Sequence, residues 1–126
     1  MQQVIATDDA PRPVGPYSVG IATEALVFCS AQAGLDPRTG TLVGGGVGAE
    51  TEQALTNLEA VLAAVGLTLA NVVRSTIYLA DIGDFGVVND NYGRRMTGPL
   101  PARTTVGVAA LPLGARIESE MTAIRD

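Results

Sequence analysis

The segment from residue 50 to residue 65 carries the clearest helical pattern in the sequence and constrains the fold most. Its apolar residues recur at three- and four-residue spacing and form one stripe of Leu55, Leu58, Val61 or Leu62, and Val65. Gly66 follows at the place where a left-handed C-terminal cap is expected. A helix with one apolar stripe must bury it against another layer, which the rest of the chain has to supply.

Extended segments supply that layer. Apolar and β-branched runs predict strands over residues 4–6, 17–22, 25–30, 72–79, 103–111 and 116–124. A second helix begins after Asp84, which can cap it, and ends before Pro99; one face carries Phe85, Val88, Tyr92 and Met96. This order predicts one domain over residues 1–126, an α/β or α+β fold with both helices on one sheet face. The other face has no helix to cover it, so we expect it to be buried against identical chains.

Composition excludes much chemistry. The chain has no histidine. A Ser-His-Asp triad, a Cys-His catalytic pair and a His-ligated metal site are therefore all excluded. The single cysteine, Cys29, cannot form an internal disulfide, which suits a reducing cytoplasm, and we expect it to be a small core residue. A net charge of −5 without any lysine argues against non-specific nucleic-acid binding. No apolar run approaches the roughly 20 residues that cross a bilayer, and no secretory signal is expected at the start.

Arginines, carboxylates, tyrosines and the backbone remain as groups that could act in catalysis. Arg103 opens a strand, and its planar guanidinium can grip a carboxylate through two parallel hydrogen bonds. A structural salt bridge to Glu118 or Glu120 is the simpler interpretation, and position alone favours it. Glu118 and Glu120 share one strand face, where paired carboxylates can act as a general acid or base. A solvated polar face is the simpler alternative for them.

Three further positions are candidates for a site. Tyr17 stands at the rigid bend after Gly15-Pro16, although tyrosines beside prolines more often serve in packing. The strand end at Ser30-Ala31-Gln32 offers backbone N–H groups to an anion, but most strand ends bind nothing. Asn89 interrupts the apolar face of the second helix, and a buried amide that fixes a loop explains it equally well. Gly44-Gly45-Gly46 lacks the Lys and Ser or Thr of a phosphate-binding loop and is interpreted as a flexible loop.

Together these residues resemble the RidA/YjgF family from end to end. Each matching segment is unremarkable alone, but their combination and order are specific. The segments are Gly15-Pro16-Tyr17, Ser30-Ala31-Gln32, Asp36-Pro37-Arg38-Thr39-Gly40, Asn57-Leu58 with Ala64-Val65-Gly66-Leu67, Asp81-Ile82-Gly83-Asp84-Phe85 with Asn89 and Tyr92, Pro101-Ala102-Arg103-Thr104-Thr105-Val106, Leu111-Pro112 and Ile117-Glu118-Ser119-Glu120.

The resemblance implies a chorismate-mutase-like fold that assembles as a homotrimer with ligand clefts between subunits. It also implies that strands 103–111 and 116–124 are not sheet neighbours, although their short connection suggests a hairpin. The implied activity is hydrolysis of 2-imino acids and their enamine tautomers, such as 2-aminoacrylate, to 2-keto acids and ammonia. The resemblance implies that this hydrolysis needs no cofactor and no metal.

The resemblance also assigns roles by position. Arg103 matches the arginine that binds the substrate carboxylate, and Glu118 matches the glutamate that positions or activates the attacking water. The matching cleft-lining positions are Tyr17, Ser30 and Asn89. Two departures bear on the substrate range. Ala31 replaces a usual glycine and incurs a steric penalty if its φ must be positive, and Thr105 replaces a frequent cysteine, which changes the polarity of the cleft.

Other functions stay open. The same residues suit a trimer that binds keto acids without turning them over, or a deaminase dedicated to one catabolic intermediate, for example in an aromatic pathway. Ribonuclease or translation-inhibitor activity is a third possibility, which the acidic, lysine-free composition disfavours. We expect small imino and keto acids as ligands, and neither nucleic acid nor membrane as a partner.

Overall fold

The computed structural model describes residues 2–126, which form one six-stranded mixed sheet and two α-helices. The strands are β1 (Gln3–Ile5), β2 (Gly20–Ala22), β3 (Leu26–Ala33), β4 (Val72–Leu79), β5 (Ala102–Gly107) and β6 (Ile117–Ile124). The helices are α1 (Gly46–Ala63), after β3, and α2 (Phe85–Arg95), after β4. The sheet order is β1-β2-β3-β6-β4-β5, and β4–β5 is its parallel pair. The predicted α/β fold is confirmed.

The last strand of the chain lies inside the sheet. β6 pairs with β3 on one side and with β4 on the other, while β5 pairs with β4 at the sheet edge. The prediction that the strands near residues 103 and 117 are not neighbours is therefore confirmed. The expectation of a strand up to residue 111 is wrong, because β4 ends at Leu79 and its carbonyl accepts the last bond, from Val108 N at 2.8 Å.

Helix α1 buries its apolar stripe against the sheet, with Leu55, Leu58, Val61 and Leu62 all buried. Gly66 has a φ of 77°, as the predicted left-handed cap requires. The helix starts earlier than predicted, at Gly46, so a flexible loop is the wrong interpretation of the end of the triple-glycine segment. Gly45 and Gly46 have φ values of 110° and 85°, a turn into the helix that favours glycine.

Helix α2 begins where predicted but is capped differently. The Asp84 side chain makes no capping hydrogen bond; the Asp81 carboxylate instead accepts from Gly83 N at 2.8 Å and caps the 3-10 turn Ile82–Asp84. Val88, Tyr92 and Met96 are buried as expected. Phe85, at the start of the helix, is 44% exposed, and its ring lies beside the Arg103 guanidinium.

The two faces of the sheet differ in what covers them. In β6 the side chains alternate as predicted, with Ile117, Ser119, Met121 and Ala123 buried on the helix-covered face. Cys29 lies in the same core, where desolvation raises the pKa of its thiol to about 12. The opposite face, which we call the open face, exposes the apolar side chains of Phe28, Val106 and Ile124.

Within residues 2–126, neither helix combines the length and apolar composition needed to cross a membrane.

Candidate active site

A cavity of about 460 Å³ lies where the irregular segment before β2, the end of β3 and the start of β6 meet. We call it the glutamate cavity because Glu118 and Glu120 belong to its wall. The predicted site residues Tyr17, Ser30 and Ala31 also line it. The structure thus brings together the predicted site residues Tyr17, Ser30, Ala31 and Glu118.

A β-bulge shapes the floor of this cavity. The register between β3 and β6 shifts between Cys29 and Gln32, so Ser30 and Ala31 lie outside regular pairing. Ser30 Oγ donates to the Ser18 carbonyl at 2.6 Å, and Ser30 N donates to the Val19 carbonyl at 2.9 Å. Ala31 does not have a positive φ, so the steric penalty considered for alanine does not arise.

Tyr17 forms one wall and is 48% exposed. Its backbone N–H donates to the Gly15 carbonyl at 2.9 Å, and its Oη accepts from Val14 N at 3.2 Å. These two bonds close the predicted bend and fix the ring. The phenol therefore borders the cavity from a rigid segment.

Glu118 is half-buried in the cavity wall, and this desolvation raises the pKa of its carboxyl above the ordinary value of 4.5. No ion pair within residues 2–126 involves Glu118. Glu120 differs, because it is exposed and its Oε1 accepts from Tyr78 Oη at 2.9 Å. A solvated polar face thus describes Glu120 and is the wrong interpretation for Glu118, whose environment suits a general base.

Arg103 lies in a second group of residues, at the sheet edge. Its Nη2 donates to Asn89 Oδ1, and its guanidinium carbon lies 4.9 Å from the Tyr92 ring centre and 5.6 Å from that of Phe85. The Tyr92 hydroxyl is itself held by the Ser75 hydroxyl at 2.9 Å. We call this group the arginine edge.

No carboxylate within residues 2–126 forms an ion pair with Arg103, so the structural salt bridge is the wrong interpretation. Asn89 contacts this guanidinium and does not fix a loop. An amide and two aromatic rings orient the cation but leave its charge uncompensated. Thr105, two residues along β5, has a buried Oγ1 without a hydrogen-bond partner in the described chain. Such a hydroxyl is available to a ligand.

The glutamate cavity and the arginine edge lie on opposite faces of the sheet. Arg103 and Thr105 pair with Ser75 and Ile77 of β4, which are buried on the helix-covered face. Glu118 pairs with Tyr78, one residue further along β4 and thus on the open face. Within one chain, therefore, Arg103, Asn89 and Thr105 are not brought together with Glu118.

One structural carboxylate was missed by the sequence reasoning. Glu50 is fully buried, and its two carboxylate oxygens accept from Arg116 N at 2.8 Å and from Arg116 Nη1 at 2.6 Å. These bonds hold the chain two residues before Glu118. The helical spacing does indicate that Glu50 is buried, because it lies four residues before Ala54 and so continues the apolar stripe of α1.

Close packing against Glu50 explains why residue 34 is a glycine. A Cβ at Gly34 would lie 2.5 Å from the Glu50 Cα, so only glycine lets the end of β3 and α1 approach this closely.

Among residues 2–126, no three His, Cys, Asp or Glu side chains cluster closely enough to hold a metal ion.

Known proteins and solved structures are similar to this chain in sequence and in fold. The family model described as Endoribonuclease L-PSP matches residues 7–125. A Mus musculus protein named 2-iminobutanoate/2-iminopropanoate deaminase is 46% identical over 125 residues, which cover 99% of this chain and 93% of that protein. The crystal structure of the E. coli YjgF gene product has a TM-score of 0.93 and 35% identity, and covers 98% of this chain and 99% of its own.

A further solved structure, E. coli TdcF with bound serine, has a TM-score of 0.94 and 31% identity, and covers 98% of this chain and 99% of its own. All of these similarities extend over nearly the whole chain. The fold, the family model and the relatives together show that this chain belongs to the RidA/YjgF family.

Proposed function

We propose that this protein hydrolyses 2-imino acids, and enamine tautomers such as 2-aminoacrylate, to 2-keto acids and ammonia. One observation carries the proposal: an oriented arginine without a carboxylate partner, and a half-buried glutamate whose pKa is raised, occur in the same small chain. A cation for the substrate carboxylate and a base for water are the groups that this reaction needs. The name of the mouse relative and the serine bound in TdcF support a small 2-substituted acid as the ligand.

We also propose that the two groups meet between copies of the chain in a homotrimer. Arg103 lies on the edge strand β5, where the glutamate cavity of a neighbouring copy can approach it. The open face exposes Phe28, Val106 and Ile124, apolar surface that a neighbour would bury. Each site then takes Arg103, Asn89 and Thr105 from one copy and Tyr17, Ser30, Ala31 and Glu118 from another.

The arginine edge binds the substrate carboxylate. Asn89 occupies one N–H of the Arg103 guanidinium and the aromatic rings fix its plane, so other N–H groups stay available for a bidentate pair. Charge-assisted hydrogen bonds of this kind contribute about 1.5–3 kcal/mol each. The unpartnered Thr105 hydroxyl lies on the same side of β5 and adds a further contact.

The glutamate cavity supplies the chemistry. Glu118 takes a proton from water as the water oxygen bonds to carbon 2 of the protonated imine, and the C=N electron pair moves to nitrogen. Glu118 then returns the proton to nitrogen, the C–N bond breaks, and ammonia leaves. The remaining hydroxyl releases its proton and becomes the keto oxygen. Desolvation of Glu118 brings its pKa closer to neutral, which favours both transfers.

The remaining cavity residues orient the imine. Ser30 Oγ donates its hydrogen to the Ser18 carbonyl, so toward a ligand it acts as an acceptor, which suits the N–H of a protonated imine. The Tyr17 phenol and the backbone around Ala31 border the same space. These groups hold carbon 2 in place while water attacks.

A coupled assay tests the proposed activity. A serine or threonine dehydratase generates the imine, and 2-keto acid formation is followed with and without this protein. We expect keto acid to appear faster than by spontaneous hydrolysis. If 2-oxobutanoate binds in calorimetry but the rate does not change, the chain is a keto-acid-binding protein and the proposed hydrolysis is wrong.

The description of the family model gives a reason to test a second activity, cleavage of RNA. Degradation of RNA that Glu118→Ala abolishes would support it. We propose that neither nucleic acid nor membrane is a partner, because the chain is acidic and lacks lysine. The single, buried Cys29 thiol further supports a reducing, cytoplasmic location.

A further inference from the structure

A second groove, of about 430 Å³, lies beside the glutamate cavity. The two spaces share four lining residues, Pro11, Arg12, Val14 and Leu35, so those side chains form the boundary between them. The wall of the groove is completed mainly by the turn at residues 37–40. A ligand held near Glu118 can therefore extend past Arg12 into this space, which we call the outer groove.

The charges along this path change sign. The glutamate cavity has Glu118 and Glu120 in its wall and Arg12 as its cation, whereas the wall of the outer groove contains Arg12 and Arg38 and no carboxylate. Arg38 is engaged by Asp36, with an Nη2–Oδ2 distance of 3.3 Å. No ion pair within residues 2–126 involves Arg12. Arg12 is thus an unpaired cation between the reacting end and the outer groove.

We propose that Arg12 and the outer groove form a side-chain subsite for dicarboxylic 2-imino acids, such as 2-iminoglutarate. Val14 and Leu35 contact the methylene groups of the side chain, and Arg12 binds the distal carboxylate away from Glu118 and Glu120. Arg103 of a neighbouring copy holds the carboxylate beside the imine. This assignment rests on the proposed function for its reacting end, and a binding measurement tests it separately.

Calorimetry with two keto acids of equal chain length, 2-oxoglutarate and 2-oxopentanoate, isolates the distal carboxylate. We expect the wild-type protein to bind 2-oxoglutarate about fivefold more tightly, as an exposed ion pair allows. Arg12→Ala should remove this preference, and Arg94→Ala, which deletes an exposed arginine outside both spaces, should keep it. Equal binding of the two acids, no binding of either, or a preference that survives Arg12→Ala would overturn the subsite.

Turnover separates this inference from the proposed function. An amino-acid oxidase, with catalase present, converts glutamate and norvaline to their imino acids. We expect Arg12→Ala to lower kcat/KM, through KM, about fivefold more for 2-iminoglutarate than for 2-iminopentanoate. An equal loss on both substrates would place Arg12 at the reacting end and overturn the subsite. If the wild-type protein hydrolyses neither imine, the proposed function fails, and the keto-acid preference still decides the subsite.

Discussion

Two arginines near helix α2 are held in opposite ways. Arg95 donates to Glu52 Oε1 at 2.8 Å and to Glu59 Oε1 at 2.5 Å, so its charge is compensated by two carboxylates that tie α2 to α1. Arg103 is held by the neutral Asn89 and by the Tyr92 ring, which leave its charge uncompensated. The first arrangement stabilises the fold, and the second keeps a cation available to an anionic ligand.

The same contrast separates two carboxylates that lie close together. Glu50 is fully buried and both of its oxygens are bonded to Arg116. Glu118 follows Arg116 by two residues, is half-buried, and has its pKa raised by desolvation without an ion-pair partner. The ion pairs of Arg95 and of Glu50 hold elements of the fold together, whereas Arg103 and Glu118 form no ion pair within residues 2–126 and are the charges assigned to the proposed chemistry. Substitutions of Arg103, Glu118, Glu50 and Arg95 therefore separate the two kinds of charge.

The largest effect is expected for Arg103→Ala. Loss of two charge-assisted bonds to the substrate carboxylate should lower kcat/KM on the order of 10³-fold. The temperature of unfolding should fall only slightly, because the variant loses the Asn89 hydrogen bond and the ring contacts of the guanidinium but no ion pair. Steady-state kinetics and thermal unfolding measure the two quantities. Equal kcat/KM for the variant and the wild type would remove the arginine from substrate binding.

Glu118→Gln should lower kcat by about 10²-fold, because the amide cannot accept the proton of water. In the wild-type protein the rate should fall as the pH drops through the raised pKa of Glu118, which lies above 4.5. A pH profile of kcat/KM, which reports ionisations of the free enzyme, locates this step. A profile that falls only below the ordinary carboxyl pKa would contradict the assignment of Glu118 as the base.

The same variant should be more stable than the wild type at neutral pH. The pKa of Glu118 is raised in the folded state, so ionisation in the cavity costs free energy that the unfolded chain avoids. This cost is present above the folded pKa and absent below the unfolded pKa of about 4.5. The difference in Tm should therefore shrink to zero as the pH falls through that window.

Glu50→Ala should lower the free energy of unfolding by about 2 kcal/mol, since it leaves Arg116 N and the guanidinium without their acceptor. Denaturant unfolding measures this loss. A double-mutant cycle with Arg116→Ala isolates the contribution of the pair. Glu50 holds the chain beside Glu118 without touching the cavity. We therefore expect the loss in the free energy of unfolding to exceed the loss of kcat/KM when that loss is converted to a free energy. A loss of kcat/KM that exceeds the loss of stability would instead make Glu50 a positioning residue.

Arg95→Ala should have the smallest effect, a loss of about 1 kcal/mol in the free energy of unfolding. It deletes the ion pairs to Glu52 and Glu59 but no group of the proposed site. We expect kcat/KM to stay at the wild-type value. If Arg95→Ala impaired catalysis as strongly as Arg103→Ala, the distinction between paired and unpaired arginines would be meaningless here.

Local patterns predicted what depends on local interactions. The β4 strand was predicted with its observed limits, and β6 with one extra residue, because alternation and β-branched residues act within the segment itself. The apolar periodicity did not predict the start of α1, because that start depends on two glycines with positive φ, which periodicity does not reveal. The end of β5 was also missed, because the length of its partner β4 sets it.

The site shows the same division. Arg103, Asn89 and Glu118 were all named from the sequence, but spacing did not indicate that Arg103 would contact Asn89 in place of a glutamate. Nor did it indicate that Arg103 and Glu118 would lie on opposite faces, because that depends on β4 standing between β5 and β6. The buried pair of Glu50 and Arg116 joins positions too distant in sequence for any local pattern to reveal.

Subunit mixing tests the shared site most directly. Arg103→Ala and Glu118→Gln chains, each inactive alone, are unfolded together, refolded in equal amounts and assayed. If each site takes Arg103 from one copy and Glu118 from another, random assembly should restore about one quarter of the wild-type sites. No recovery in a mixture that has refolded to the wild-type assembly would contradict a site shared between copies.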